Sequence, residues 1–230
     1  MPWTKFAGRV AFCLAIIAAS VSGCRRSSLV DLPLWRVEPD ASGREARVVQ
    51  LPFDQTSYDL TTHAIIRRVL DRNQDGVSDR IITYEGIGAA RSEETDTDFN
   101  GAVDRWDTFG PEGQRLRSAT ARVGTHPDRI ATYDRAGRLG RVETDSDLDG
   151  RFDLVRIYEG GKLAESRVDS DHNGRTDRVQ DVRKGYLSVE DFDTDEDGVS
   201  NLRMAYAKDG TLVKITVLSS GAAARGSAVP

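Results

Sequence analysis

Asp145-Ser-Asp147-Leu-Asp149-Gly150-Arg-Phe-Asp153 is followed, after one strand-turn-strand interval, by Asp169-Ser-Asp171-His-Asn173-Gly174-Arg-Thr-Asp177. Three further nonapeptides share the pattern: Asp71-Arg-Asn73-Gln-Asp75-Gly76-Val-Ser-Asp79, Asp96-Thr-Asp98-Phe-Asn100-Gly101-Ala-Val-Asp104 and Asp193-Thr-Asp195-Glu-Asp197-Gly198-Val-Ser-Asn201. Their first residues are spaced by 25, 49, 24 and 24, so the chain is a repeat with a period of 24–25 and one unit hidden in the long gap. The hidden unit is read at Thr120 to Asp128, of full length, with the final Asp kept and the other ligands lost. It is expected to be metal-free, with Arg122 offering an internal positive charge.

Between loops, a β-branched run ends in an aromatic, as in Arg80-Ile-Ile-Thr-Tyr84, Arg105-Trp-Asp-Thr-Phe109, Arg129-Ile-Ala-Thr-Tyr133 and Leu154-Val-Arg-Ile-Tyr158. A glycine turn follows (Gly86, Gly113, Gly137, Gly160-Gly161, Gly185, Gly210), then a second run such as Leu163 to Val168. Runs of five to seven such residues around a glycine are hairpin signals, and no window sustains a 3.6-residue apolar period. The expected fold class is all-β: antiparallel β-hairpin repeats, twelve or so strands, in a twisted or superhelical meander with calcium loops on one edge and tight turns on the other. Many strand residues are charged (Arg156, Glu165, Arg167, Asp181), so much of the sheet is expected to face water. A propeller is disfavoured, because six units supply three blades. Tyr84, Phe109, Tyr133, Tyr158 and Tyr206 are expected to form a packing ladder.

The loop pattern carries its own chemistry. Calcium takes about 6–8 oxygen ligands at about 2.3–2.6 Å. Asp or Asn at positions 1, 3 and 5 supplies side-chain oxygens, Gly at 6 permits the sharp bend, position 7 offers its carbonyl and position 9 closes the shell. The candidate ligands are therefore Asp71, Asn73, Asp75, Val77 and Asp79 in the first loop and Asp96, Asp98, Asn100, Ala102 and Asp104 in the second. The third offers Asp145, Asp147, Asp149, Arg151 and Asp153, the fourth Asp169, Asp171, Asn173, Arg175 and Asp177. The last offers Asp193, Asp195, Asp197, Val199 and Asn201. Sixteen of the chain's 37 acids stand at these positions, a repulsive crowding that a divalent cation neutralises. His172 lies between ligand positions and is expected to be solvated.

These loops depart from the EF-hand, whose twelfth position is a bidentate Glu; here it is Ile82, Asp107, Arg156, Gln180 or Met204. The strand flanks also argue against a dockerin. The pattern resembles the calcium loops of integrin alpha subunits and of thrombospondin type 3 repeats, which implies ligation through positions 1, 3, 5, 7 and 9. Extracellular modules of this kind bind at about 10⁻⁴–10⁻³ M. Tyr133-Asp134-Arg135-Ala136-Gly137-Arg138-Leu139 resembles the YD repeats of large bacterial surface proteins, which implies a spiralling sheet.

At the N-terminus, Lys5 and Arg9 precede an apolar run from Val10 to Ala19, too short to span a bilayer and matching a secretory signal. Val21-Ser22-Gly23-Cys24 resembles the lipobox of bacterial lipoproteins. The resemblance implies a signal peptide over 1–23 and lipid, palmitate included, on Cys24, the membrane being the partner through that anchor. Arg25 in place of the retention Asp implies the outer membrane. Cys13 would leave with the signal, so no disulfide is expected. Residues 24–43 read as lipidated Cys and tether, 44–218 as the repeat domain, and 219–230 as a disordered tail.

Composition excludes more than it selects. With 37 acids against 32 bases and no Lys/Arg stripe, nucleic acid is a poor partner. Three histidines (His63, His126, His172) are too scattered for a zinc or iron centre. There is no Gly-x-Ser-x-Gly, no His-Glu-x-x-His and no phosphate-cradling glycine loop, so no enzyme is expected. The expected function is a calcium-binding envelope lipoprotein with a structural, scaffold or adhesion role. The alternative is a polysaccharide- or protein-binding module of an envelope complex, and after it a calcium-dependent hydrolase.

Overall fold

A computed structural model describes residues 34–40, 43–86 and 88–218. Among these there is no helix. Sixteen strands form one antiparallel sheet in which each pairs with its sequence neighbours, an open meander in chain order. The strands are β1 (Leu34–Pro39), β2 (Glu45–Leu51), β3 (Asp54–Asp59), β4 (Ile65–Leu70), β5 (Arg80–Glu85), β6 (Ala89–Thr95), β7 (Arg105–Phe109) and β8 (Arg115–Thr120). They continue with β9 (Arg129–Tyr133), β10 (Leu139–Thr144), β11 (Leu154–Glu159), β12 (Lys162–Val168), β13 (Arg178–Arg183), β14 (Tyr186–Phe192), β15 (Leu202–Tyr206) and β16 (Leu212–Val217).

The hairpin reading holds, but twelve strands was too few. β1 to β4 precede the first Asp loop, where the repeat gives no signal, and β1 lies inside the stretch read as tether. Cys24, the signal residues 1–23 and the tail 219–230 lie outside the described residues.

Connections in a sequential antiparallel meander alternate between the two ends of the strands. The Asp loops therefore share one end and the glycine turns the other. Near the turn end the register slips beside the aromatic that closes the first strand of the hairpin: at Thr83/Tyr84, Thr108/Phe109, Ile157/Tyr158 and Ala205/Tyr206. A bulge there adds local twist.

The apolar core is thin. Ala46, Val48, Ile82, Ala119, Ala131 and Val142 are the buried hydrophobic residues among those described, none larger than isoleucine. Polar pairs fill the rest of the covered surface. Arg80 grips Glu93 with two bonds (2.8 and 2.9 Å), and Arg203 grips Asp191 with two of 2.6 Å. Asp107, only 3% exposed, sits between Arg105 (2.9 Å) and Arg115 (3.1 Å). Such two-point Arg–carboxylate pairs fix strand register as well as adding attraction.

Among the described residues, two cross-strand pairs juxtapose like charges, and in one of them, Glu93 opposite Asp107, both acids are held by arginines. In the other, Glu165 stands directly opposite Asp181. Burial, and then the Glu165 charge, pushes the Asp181 carboxyl above its ordinary value. A carboxyl whose pKa rises on folding weakens the fold while ionised, and stability returns as pH falls through the folded value. Asp181→Asn is therefore expected to melt higher than the parent at pH 7. That advantage should shrink toward zero as melts are repeated into the range where free carboxyls protonate, around pH 4.

Candidate metal loops

Each full loop folds around two carboxyl-type side chains. The first-position Asp gathers the N–H of the sixth-position glycine in every case: Gly76 to Asp71 (2.9 Å), Gly101 to Asp96 (2.7 Å), Gly150 to Asp145 (2.9 Å), Gly174 to Asp169 (2.7 Å) and Gly198 to Asp193 (2.6 Å). Its other oxygen accepts from the chain nearer the loop tip, as Gln74 N–H to Asp71 (2.6 Å) and Leu148 N–H to Asp145 (2.7 Å). The ninth residue accepts from the second-position N–H: Arg72 to Asp79, Thr97 to Asp104, Ser146 to Asp153, Ser170 to Asp177 and Thr194 to Asn201. Fifth-position oxygens accept from the seventh N–H, for example Val77 to Asp75 (2.7 Å) and Arg151 to Asp149 (2.7 Å). The backbone itself thus preorganises these side chains.

Burial divides the ligand set. Asp79, Asp96, Asp145, Asp153 and Asp193, at first or ninth positions, are buried, whereas third- and fifth-position residues are exposed. Burial alone would push Asp96, Asp153 and Asp193 up. Donated hydrogen bonds overcome it, from Gly101 for Asp96, from Ser146 for Asp153 and from Gly198 for Asp193, and hold all three below the ordinary carboxylate value. Their contribution to stability is present above the unfolded pKa and is lost as pH falls through the folded one.

In four loops three carboxylates converge closely enough to share one metal ion. One oxygen from each of Asp71, Asp75 and Asp79 lies within 4.8 Å of the others, as do those of Asp96, Asp98 and Asp104, of Asp145, Asp147 and Asp149, and of Asp169, Asp171 and Asp177. In the last loop the Asp195 carboxyl is within hydrogen-bond reach of Asp193. There the Asp193 Oδ1 atom is buried with no hydrogen-bond partner. An orphaned buried carboxylate oxygen beside a second acid, in an all-oxygen set, is the donor chemistry of a hard divalent cation.

The hidden unit differs from its expected register. In the full loops the ninth N–H returns to the residue before the loop, Asp79 to Leu70, Asp104 to Thr95, Asp153 to Thr144, Asp177 to Val168 and Asn201 to Phe192. Asp128 returns to Thr120, which ends β8, so this loop runs from Ala121 to Asp128 and is one residue shorter than its siblings. Its centre holds a guanidinium. Arg122 Nε donates to Asp128 (3.0 Å), and Nη2 donates to the carbonyls of Asp145 (2.8 Å) and Ser146 (3.4 Å).

Successive loops are stitched together. The first-position N–H of Asp96, Ala121, Asp145, Asp169 and Asp193 donates at 2.8 Å to the last carbonyl of the loop before it. Side chains cross the same gap, since Arg175 Nη1 donates to the Glu196 carbonyl (2.7 Å). His172 is exposed, as read, and also reaches the preceding loop, where it stands 3.3 Å from both Asp147 and Asp153. The stacking of loops, invisible in the repeat alone, puts the fourth position against the neighbour's acids.

Two further features escaped the sequence reading. The fourth residue of each full loop is left-handed, with φ of 65° at Gln74, 61° at Phe99, 68° at Leu148, 60° at His172 and 59° at Glu196. Those five residue types share no chemistry that would announce it. The second-position hydroxyl was a usable signal: Thr97, Ser146 and Thr194 add a side-chain bond of 2.7, 2.6 and 2.9 Å to the ninth residue. Left-handed backbone costs a residue with a Cβ about 1–2 kcal/mol. Leu148 is exposed and packs little. Leu148→Gly is therefore expected to stabilise by about 0.5–1 kcal/mol, raising the melting temperature by about 1–4 °C. Leu148→Ala should give no such gain.

Away from the loops, a cleft of about 450 Å³ near the turn end is lined in part by Glu85, Arg91, Phe109 and Pro111. No family model and no curated protein matches the chain. Among solved structures, a crystal structure of the S. aureus TarM G117R mutant, in complex with Fondaparinux, alpha-GlcNAc-glycerol and UDP, is similar at 11% identity and a TM-score of 0.35. The match covers 46% of this chain and 20% of that one.

Proposed function

We propose that this chain is a calcium-binding lipoprotein of the bacterial cell envelope with a structural, scaffold or adhesive role and no catalysis. The observation that carries the reading is a comparison inside the molecule. Four loops bring three carboxylate oxygens together and a fifth sets Asp195 beside Asp193, whereas the one loop that has lost these residues carries a guanidinium against its remaining Asp128. A positive charge thus serves the site where ligands are missing, which argues that the intact loops are built around a cation too.

Up to five calcium ions would be held, each by side chains at positions 1, 3, 5 and 9 and the carbonyl at 7. Bound calcium neutralises the crowded carboxylates and crosslinks each loop, while the backbone bonds already described hold the ligands in place. The anchor rests on Val21-Ser22-Gly23-Cys24, and an outer-membrane address on Arg25. Repetition favours a spacer or adhesive surface over an enzyme, because catalysis needs an asymmetric constellation.

Titration calorimetry on the lipid-free body should register uptake of several calcium ions, at about 10⁻⁴–10⁻³ M. Magnesium, smaller and reluctant to shed water, should compete poorly. No heat with calcium at millimolar concentration would end the metal reading. Labelled palmitate should enter the full chain in bacteria and fail to enter Cys24→Ser.

A further inference from the structure

An open sheet leaves its two outer strands with one unpaired side each, and the two are treated differently here. β1 ends in Pro39 and carries Arg36 and Glu38, devices that discourage pairing. β16 has no proline, no glycine and one charge, Lys214. Val213, Ile215 and Val217, alternating along one face, are 67%, 55% and 81% exposed. Leu218 continues in register, its N–H bonded to the Asn201 carbonyl.

The segment Leu212-Val213-Lys214-Ile215-Thr216-Val217-Leu218 reads alike from either end except that Lys214 and Thr216 change places. Turned antiparallel on itself about Ile215, it sets Val213 opposite Val217, Leu212 opposite Leu218 and Ile215 opposite Ile215. Lys214 then faces Thr216, so the strand's single charge meets a hydroxyl. Shifting the pairing to centre on Lys214 would bring two ammonium groups face to face. A one-residue slip would put the valines on opposite faces. We infer that β16 is an interface at which two copies of this chain join edge to edge, antiparallel and centred on Ile215.

The occupant is a second copy because the edge sets apolar side chains opposite apolar ones and its single ammonium opposite a hydroxyl. An isologous two-fold contact requires such a surface, in which residue i meets j and j meets i. The pairing satisfies the N–H and C=O groups on the outer side of β16 and gives three exposed β-branched side chains lateral cross-strand partners. It does not depend on calcium, so its failure and that of the metal reading are separable.

Cysteine crosslinking in the full chain tests it. The sequence has two cysteines, Cys13 and Cys24, and the parent chain reports their background. Ile215→Cys should give a disulfide-linked dimer on mild oxidation, since the two-fold centre brings that residue against itself. Val213→Cys alone and Val217→Cys alone should not, each standing about 13 Å along the strand from its counterpart. Mixing those two variants should restore the dimer. In solution, Ile215→Lys should halve the sedimenting mass of the parent chain while leaving its strand content by circular dichroism unchanged. Equal crosslinking at 213, 215 and 217 would mean random collision and would overturn the inference, as would a monomeric parent. Crosslinking of Ile215→Cys only when the chain is ended after Leu218 would place residues 219–230 on this edge and overturn it too.

Discussion

Melting the protein in calcium at about ten times the dissociation constant, and again in excess chelator, is expected to separate the two transitions by roughly 15–30 °C. A ligand that binds only the folded state adds RT ln(1 + [L]/Kd) per site, about 1.4 kcal/mol at that excess. Five such sites add about 7 kcal/mol, comparable to the whole stability of an ordinary domain. For a chain of this size each kcal/mol moves the midpoint by about 2–4 °C. The effect should be this large because little else can dominate: six small or medium hydrophobic side chains are buried among the described residues. Loop bonds at 2.8 Å also couple each loop to the next, so a cation in one supports its neighbours. Asp149→Ala should remove a share of the calcium increment and leave the melt in chelator nearly unmoved, because Asp149 is exposed and its bond is local, to Arg151 N–H. Superimposable curves in calcium and chelator would refute the account.

The parts of this molecule that were legible in its sequence are those where chemistry restricts residue type. Oxygen ligands must be Asp or Asn at fixed intervals, and Gly150 at φ 94° occupies backbone that a Cβ disfavours, so the loops announced themselves. The paired β-branched runs gave β5 to β16 for the same reason. What stayed hidden was set by neighbours. Nothing in Leu148 or Phe99 signals a left-handed backbone, which the flanking Asp bonds impose. His172 acquired carboxylate neighbours only once two loops stacked, and β1 to β4 lie ahead of any repeat that could have betrayed them. The hidden unit was found by its final Asp, but a one-residue deletion misplaced its start at Thr120 instead of Ala121. Arg122 was recognised as a charge in the right place, yet the carbonyls it binds belong to the next loop and could be seen only in three dimensions.

Arg122 also supplies the sharpest contrast with the five proposed calcium loops, because its cation cannot be chelated away. Arg122→Gln is expected to destabilise the protein by about 1–2 kcal/mol, a midpoint loss of about 2–8 °C, and by the same amount with calcium or with chelator. Asp128 is 4% exposed, and the substitution leaves it the N–H of residue 122 in place of a charged partner. Half-exposure of the Arg122 side chain keeps the figure at the lower end of the range for charged hydrogen bonds. Two contacts are lost together, the pair with Asp128 and the bond to the Asp145 carbonyl, so the change also loosens the junction with the third loop. Arg122→Gln combined with Asp128→Asn should recover part of the loss, since removing both charges leaves no buried carboxylate without a partner. Recovery should stop short of the parent, because the Asp145 carbonyl still lacks its donor. If instead the single variant were destabilised only in chelator, calcium would be entering the short loop, and the division between five metal loops and one held by arginine would have to be abandoned.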